Sequence, residues 1–266
     1  PKLKEEAIKL KGLKKYLTEY SLMKEMLNRT SFVTNVLFMV LNNACFIIQW
    51  IIIFSIKDNF GGYTLRDVLL LWGIASSTYG FAHLFFENAF HLSSIINDGK
   101  LDSYLVQPKN VLLSSITSNI KVSAIGDLIY GLIVLLIYGV TIKQLLLFTI
   151  FTITGGLIIV SVMIILNSLS FWINKADLIA DVGEQLIVQF ATYPDTIFKG
   201  ITRIILFYVL PIGIANYIPI WIIKSFNLNL FLLIVGITLL SIILANIIFN
   251  KGLKRYSGSN LMSARI

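Results

Sequence analysis

Asn97-Asp98-Gly99-Lys100-Leu101-Asp102-Ser103-Tyr104-Leu105-Val106-Gln107-Pro108 is a polar island in a chain otherwise made of long apolar runs. It carries two acids, one Lys, a Gly and a closing Pro. Inside a helix Gly costs about 1 kcal/mol and Pro about 3 relative to Ala, so no helix runs unbroken through both. A loop that keeps this many polar groups between greasy helices is a candidate contact for another protein. The runs on either side of it decide the fold class.

Of 266 residues 56% are hydrophobic and 14% charged, and the mean hydropathy is +0.81. A soluble protein of this size has no core large enough to hide so much apolar surface, whereas a bilayer accepts it directly. A spanning helix needs about 20 apolar residues. Runs near that length occur at about 31–56, 65–90, 122–140, 145–172, 178–193 and 227–249. The expectation is an all-α integral membrane protein with six transmembrane helices in one domain, 29–266.

Residues 1–28 place Leu3, Ala7, Leu10, Leu13, Leu17 and Tyr20 at helical spacing among lysines. That pattern predicts an amphipathic helix lying in the headgroup region, its cations toward anionic lipid. No cleavable signal peptide is expected, because this segment is charged throughout and has no apolar centre. The chain opens on Pro1 rather than Met, and further residues are expected ahead of it. Between the fifth and sixth runs, Pro194, Pro211, Gly213 and Pro219 divide 195–223 into pieces too short to cross. Pro removes an intrahelical hydrogen bond and clashes with the preceding turn, so this stretch reads as a re-entrant hairpin. Taking 204–223 as a further span would give seven and put the basic C-terminus outside.

Six spans with both termini cytoplasmic place 16 of the 22 Lys and Arg inside. The positive-inside rule supports that orientation, and it puts the polar island in the cytoplasm. The net charge of +8 then belongs to lipid and orientation, not to nucleic acid. Cys45, the single cysteine, leaves no disulfide framework.

Few residues could carry chemistry. His83, Glu87 and His91 stand at i, i+4 and i+8. On a continuous helix the two histidines lie about 12 Å apart along the axis, at about 1.5 Å per residue, too far to share one zinc ion. Asp127 is an intramembrane acid and so a functional candidate by default. Asp177, Asp181 and Glu184 begin the fifth run, where they line a watery entrance or stand in cytoplasm. Asn42 and Asn43 interrupt the first run with amides that prefer a partner or water to lipid. The chain contains no Gly-x-x-x-x-Gly-Lys-Ser/Thr loop, so it has no P-loop ATP site of its own, and no convincing nucleophile or metal motif.

The order of these elements resembles the permease subunits of ATP-binding-cassette exporters of the ABC-2 type. The loop after their second span reads Gly, a basic residue, Leu-Asp, a few residues, then Pro, as Gly99-Lys100-Leu101-Asp102 and Pro108 do here. Tyr193-Pro194-Asp195, followed by Pro211 and Tyr217-Ile218-Pro219, is similar to the outer end of the fifth span and the re-entrant element before the sixth. The basic C-terminal end with Tyr256-Ser257-Gly258-Ser259 also resembles that family.

The resemblance implies one half of an exporter in a bacterial-type cell membrane. A second permease, identical or paralogous, would complete the path. Two cytoplasmic ATPases would bind the ATP and Mg, and this chain would bind no cofactor and hydrolyse nothing. A coupling helix around 92–107 would seat in the ATPase through Asn97, Asp98, Gly99, Lys100, Leu101, Asp102, Tyr104 and Pro108. Asn42, Asn43, Glu87, Asp127, Tyr193 and Pro194 would line or gate the path, and the cargo would be an amphiphilic, peptide or drug-like molecule. The competing expectation is an ion-coupled secondary transporter using Asp127 or Glu87. The lack of an internal repeat counts against it.

Overall fold

The computed structural model describes residues 29–56, 59–139, 141–174 and 176–256. The expected interfacial helix over 1–28 lies outside the described residues. Among those described, the secondary structure is helical, apart from an isolated bridge between Phe60 and Tyr63.

Helix α1 covers Arg29–Ile56 and α2 covers Leu65–Phe86. Thr64 and Asp67 start α2 with a capping box. The Asp67 carboxylate accepts from the Thr64 backbone N–H at 2.9 Å, and the Thr64 hydroxyl accepts from the Asp67 N–H. Asp67 is almost fully buried and also meets Lys224 Nζ at 2.8 Å. A 3₁₀ turn, Glu87–Ala89, ends α2. Three short helices follow: α3 at Leu92–Asn97, α4 at Asp102–Leu105 and α5 at Val111–Ile116. Then come α6 (Ile125–Tyr138), α7 (Ile142–Ser168) and α8 (Ala176–Thr192).

Three helical stretches are long and apolar enough to cross a membrane: Leu65–Asn97, Ile142–Phe171 and Leu228–Leu253. A fourth candidate is the bent pair Ile201–Tyr208 and Gly213–Lys224. The first stretch outruns the expected 65–90 because the Glu87–Ala89 turn leads directly into α3. The third expected run is shorter than its apolar pattern. Gly139, with φ +88°, stops α6, and its 14 residues rise about 21 Å at about 1.5 Å each.

The bent region unfolds in order as α9 (Ile201–Ile204), a π-helical turn Ile205–Val209, a break at 210–212, a second π turn Gly213–Tyr217, and α10 (Ile218–Lys224). The two halves meet at 72°. Pro211 falls in the break, as expected of a residue with no N–H to donate. Pro219 does not divide the run. It occupies the first turn of α10, directly behind the π turn Gly213–Tyr217, and Gly213–Lys224 continues through it as one stretch. The last helix, α11, spans Leu228–Leu253 behind the Asn227 cap.

Helix α2 sits at the centre, flanked by α6 and α7, and α11 packs on the other side of α7. Small residues bring these axes together. Gly131 of α6 faces Ser77, and Gly155 and Gly156 of α7 face Thr78 and Phe81 of α2. In lipid, apolar burial gives helices little net reward, so such close approach carries the association. Two apolar clusters form the interior. One gathers Phe90, Leu92, Leu101, Met163 and Phe249 beneath the polar island. The other gathers Trp50, Tyr63, Leu70, Phe148 and Tyr217 at the opposite end.

Candidate functional site

Between the clusters, α1, α2, α6, α7 and α8 line a cavity of about 220 Å³. Its polar lining is Asn42, Trp72, Ser76, Tyr79, Asp127 and Thr192, and the remainder is mostly aliphatic, Ile159 and Ile187 among them. Asp127 stands in the first turn of α6, and the Ser76 hydroxyl donates to its backbone oxygen at 3.1 Å. Phe46 of α1 stacks on Trp72 with ring centroids 3.7 Å apart, which holds α1 over the cavity. The side chain of Asn43 lies outside the described ones.

A second cleft of about 480 Å³ shares Tyr79 and Val188 with the first. Asp181, Glu184, Gln185 and Gln189 of α8 form most of the rest. The sequence of α8 dictates this face. Ala180, Gly183, Ile187 and Ala191 recur every three or four residues and pack inward, while Asp181, Gln185 and Gln189 recur every four and stay exposed.

Towards the polar island the lining passes into an ionic chain centred on the buried Glu87. The Tyr79 hydroxyl donates to Glu184, and His83 Nδ1 lies 2.5 Å from Glu87 Oε2. His91 Nε2 comes within 3.3 Å of Glu87 Oε1, and Lys121 Nζ within 3.9 Å of the same atom. The two histidines therefore meet one carboxylate, each four residues from Glu87 and so its neighbour on the helix surface. They take its two different oxygens, and no group of three His, Cys, Asp or Glu among the described residues is placed to hold a metal ion.

At the opposite end, Tyr193 and Pro194 close α8. The Tyr193 ring stands 6.0 Å from that of Phe46 and 6.1 Å from that of Trp50, and its carbonyl accepts from the Tyr217 hydroxyl at 3.0 Å. Pro194 is buried beside Asp195, whose carboxylate accepts from the Tyr63 hydroxyl at 2.7 Å and from Arg203 at 3.2 Å. Burial, reinforced by the Asp195 carboxylate, pushes the Tyr63 phenol well above its ordinary value. These two residues close the far end beside Trp50 and do not line the cavity.

The polar island is two helical pieces around a turn, not one helix. Gly99 takes φ +71°, a conformation that an L side chain resists, and this swings Leu101 inward to 0% exposure. Asn97, Asp98, Lys100 and Pro108 are exposed, with Lys100 and Asp98 paired at 2.7 Å, and Val106 is 85% exposed. Three ties fix the island to the bundle. The Ser93 N–H donates to Asn167 of α7 at 3.0 Å. Asn88 donates to Ser118 Oγ at 2.6 Å, and that oxygen also shares a hydrogen bond with the Tyr104 hydroxyl at 2.8 Å. Asp102 faces Tyr256, whose phenol is pushed up to about 12 by burial and by that carboxylate.

A sequence model of the family described as "ABC-2 family transporter protein" matches residues 40–260. The chain belongs to the ABC-2 transporter family. It is accordingly the permease component of an ABC transporter and a multi-pass membrane protein. ABC-2 permeases are transport components, not ATPases, and they work with an ABC ATPase. The matched stretch runs from within α1 to beyond α11, so it takes in the cavity and the polar island. No curated protein and no solved structure matches the chain.

Of the pathway residues predicted for this ABC-2 chain, Asn42 and Asp127 come together at the cavity. Glu87 sits beyond it, in the ionic chain. Trp72, Ser76, Tyr79 and Thr192 line it without a sequence signal, since each reads alone as an ordinary helix residue. The polar repeat Asp181, Gln185, Gln189 was the signal that could have placed α8 there.

Proposed function

We propose that this ABC-2 permease forms one half of a translocation path and that a second permease, identical or paralogous, forms the other. In this reading α1, α2, α6, α7, α8 and α11 cross the membrane of a bacterial-type cell. Residues 201–224 form a re-entrant element, both termini are cytoplasmic, and 1–28 rests on anionic lipid. Two cytoplasmic ATPases bind and hydrolyse ATP with Mg. They press on the stretch 97–108, and the permeases alternate access to export an amphiphile.

The rigid attachment of the polar island carries this reading. The helix that leads into its exposed tip is anchored to α7 by the Ser93–Asn167 hydrogen bond, and Asp102 behind the tip faces Tyr256 at the C-terminal end. A push on a tethered element moves the attached helices as rigid bodies, whereas a floppy loop would absorb it. Within it, Asn97, Asp98, Lys100 and Pro108 supply contact surface, while Gly99, Leu101, Asp102 and Tyr104 hold the shape.

The test is affinity purification of the tagged chain from its native membrane. A P-loop ATPase should co-purify, and Val106→Asp should cut its recovery at least tenfold while leaving membrane insertion unchanged. Normal recovery and transport by that variant would remove the coupling role from 97–108. Ion-coupled transport through Asp127 is the competing reading, and it rests on that carboxylate lining the cavity. Uptake by the chain alone, under an ion gradient and without ATP, would establish it.

A further inference from the structure

Any motion that passes from the polar island to α2 crosses the Glu87–Ala89 turn, where the regular helix is broken. Phe86, just ahead of it, takes φ −138° and ψ +36°, away from helical values. The turn's own backbone bonds are short-range, Phe90 N–H to the Glu87 carbonyl and His91 N–H to that of Asn88. Asn88 ties the turn sideways, to Ser115 and Ser118, and not back to α2. Left to its backbone, such a joint is a hinge, a few element-terminal residues that absorb dihedral change.

The Glu87 side chain reaches both sides of that break. Its Oε2 meets His83 of α2 at 2.5 Å, and its Oε1 meets His91, beyond the turn, at 3.3 Å. Lys121, in the segment ahead of α6, approaches Oε1 at 3.9 Å, and its backbone N–H donates to the His83 carbonyl at 3.4 Å. The His83 ring also stacks on Phe90 with centroids 3.9 Å apart, so the ring that Glu87 holds presses on the far side of the turn. Glu87 is 6% exposed, and among the described residues its carboxylate is met by bases alone. Stripping a buried carboxylate of such partners is strongly unfavourable, so the three elements are held to it. Acids of two other helices compete for His83: Glu184 of α8 stands 3.8 Å from its Nε2 and accepts from Tyr79, and Asp127 of α6 acts on it from farther away. Helices α5 and α7 also pack on the turn, but α5 has no titratable side chain and that of α7, Lys143, stands at its opposite end.

We propose that Glu87 is the positioning residue that stiffens this joint, so that a displacement of the island reaches α2 and the entry to α6 as one movement. Its meaning for transport rests on the coupling reading above; the stiffness of the joint does not. A pH dependence follows from the same geometry. The His91 side chain is 60% exposed, and histidine is the side chain whose charge changes between about pH 5 and 8. A charge-assisted hydrogen bond is roughly twice as strong as a neutral one. The His91 tie is therefore strongest with the imidazole protonated and weakens as pH rises. Lys121 at 3.9 Å is too distant to take over as a direct hydrogen-bond donor. The joint is stiff in a mildly acidic cytoplasm and looser in an alkaline one.

The test is amide hydrogen exchange of the full chain in lipid nanodiscs, corrected for the intrinsic pH dependence of exchange. Between pH 6 and 8 the wild-type rate over 88–97 should rise at least threefold. Glu87→Gln should show the raised rate already at pH 6 and little further change. His91→Gln, a milder change at an exposed ring, should flatten the profile in the same way and serves should Glu87→Gln aggregate. A second arm uses the complex with the ATPase recovered from native membranes, with and without ATP and vanadate at pH 6. In the wild type, nucleotide should alter exchange both over 97–105 and over 79–86. In either variant the response over 97–105 should persist while that over 79–86 falls at least threefold. A pH response as large in Glu87→Gln as in the wild type, or an undiminished response over 79–86, would overturn the role of Glu87 and leave the coupling reading standing. A flattened pH profile in a chain that recovers no ATPase would do the reverse, keeping the stiff joint and sinking the coupling.

Discussion

A side chain on Gly131 would fall on the Ser77 hydroxyl and against the Gly73 carbonyl, so α6 and α2 meet almost backbone to backbone. Neighbouring contacts repeat the device. A Cβ on Gly80 would lie 2.9 Å from the Ala124 carbonyl oxygen, and one on Gly155 2.6 Å from Thr78 Cγ2. Backbone cannot retreat as a flexible side chain can, so Gly131→Leu should separate the helices. Overpacking of this kind costs about 1–3 kcal/mol. The expected result is a fall of several degrees in the thermal midpoint in detergent, with a smaller monodisperse fraction on gel filtration. A variant as stable as the wild type would mean that α6 is not packed this way.

At the scale of elements, the apolar runs located most helices because membrane helices are read by composition and length, both local properties. Gly99, with Pro108 behind it, marks the break in the polar island. Tertiary effects were not legible. The end of α2 at Phe86 has no Pro or Gly, and the turn there is held by Glu87, which draws His83 and His91 from either side. Pro219 looked like a breaker because sequence alone does not reveal that a π turn precedes it and places it in a first helical turn. The cavity also escaped the reading, since it joins residues of five helices that share no spacing.

The island's C-terminal tie makes a pH prediction. The Tyr256 phenol has a folded pKa near 12, above its ordinary value of 10.0, because burial and the nearby Asp102 carboxylate favour its protonated, neutral form. A group raised on folding stabilises fully below its unfolded pKa and ceases to do so as pH rises through the folded one. The tie should therefore hold below about pH 10 and loosen between about 10 and 12. Amide exchange at 102–105, corrected for its intrinsic pH dependence, should rise over that window. Tyr256→Phe should show the raised exchange already at neutral pH. Equal protection in the two proteins at neutral pH would mean that the tie does not order α4.

For the whole molecule, the two apolar clusters act as fixed ends around a less tightly filled middle. Near the island, Ala82, Leu92, Met163 and Phe249 bind α2, α3, α7 and α11 into one block. At the other end Trp50, Leu70 and Tyr217 do the same for α1, α2 and the bent region. Between them, α8 presents its polar face to the second cleft.

That face also has a consequence for how the cell makes this protein. In the six-span arrangement proposed above, a newly inserted chain without a companion would show the exposed Asp181, Gln185 and Gln189 on a surface that acyl chains would otherwise wet. Polar groups cannot be satisfied by acyl chains, so such a chain is a poor resident of the bilayer and a good substrate for membrane quality-control proteases. Assembly would then set abundance. Made alone, the chain should decay several-fold faster in a pulse-chase than when co-expressed with its companion subunits, and replacing the three residues by Leu should slow the decay of the orphan. Equal lifetimes with and without companions would show that α8 needs no covering, and stoichiometry would have to be set at synthesis instead.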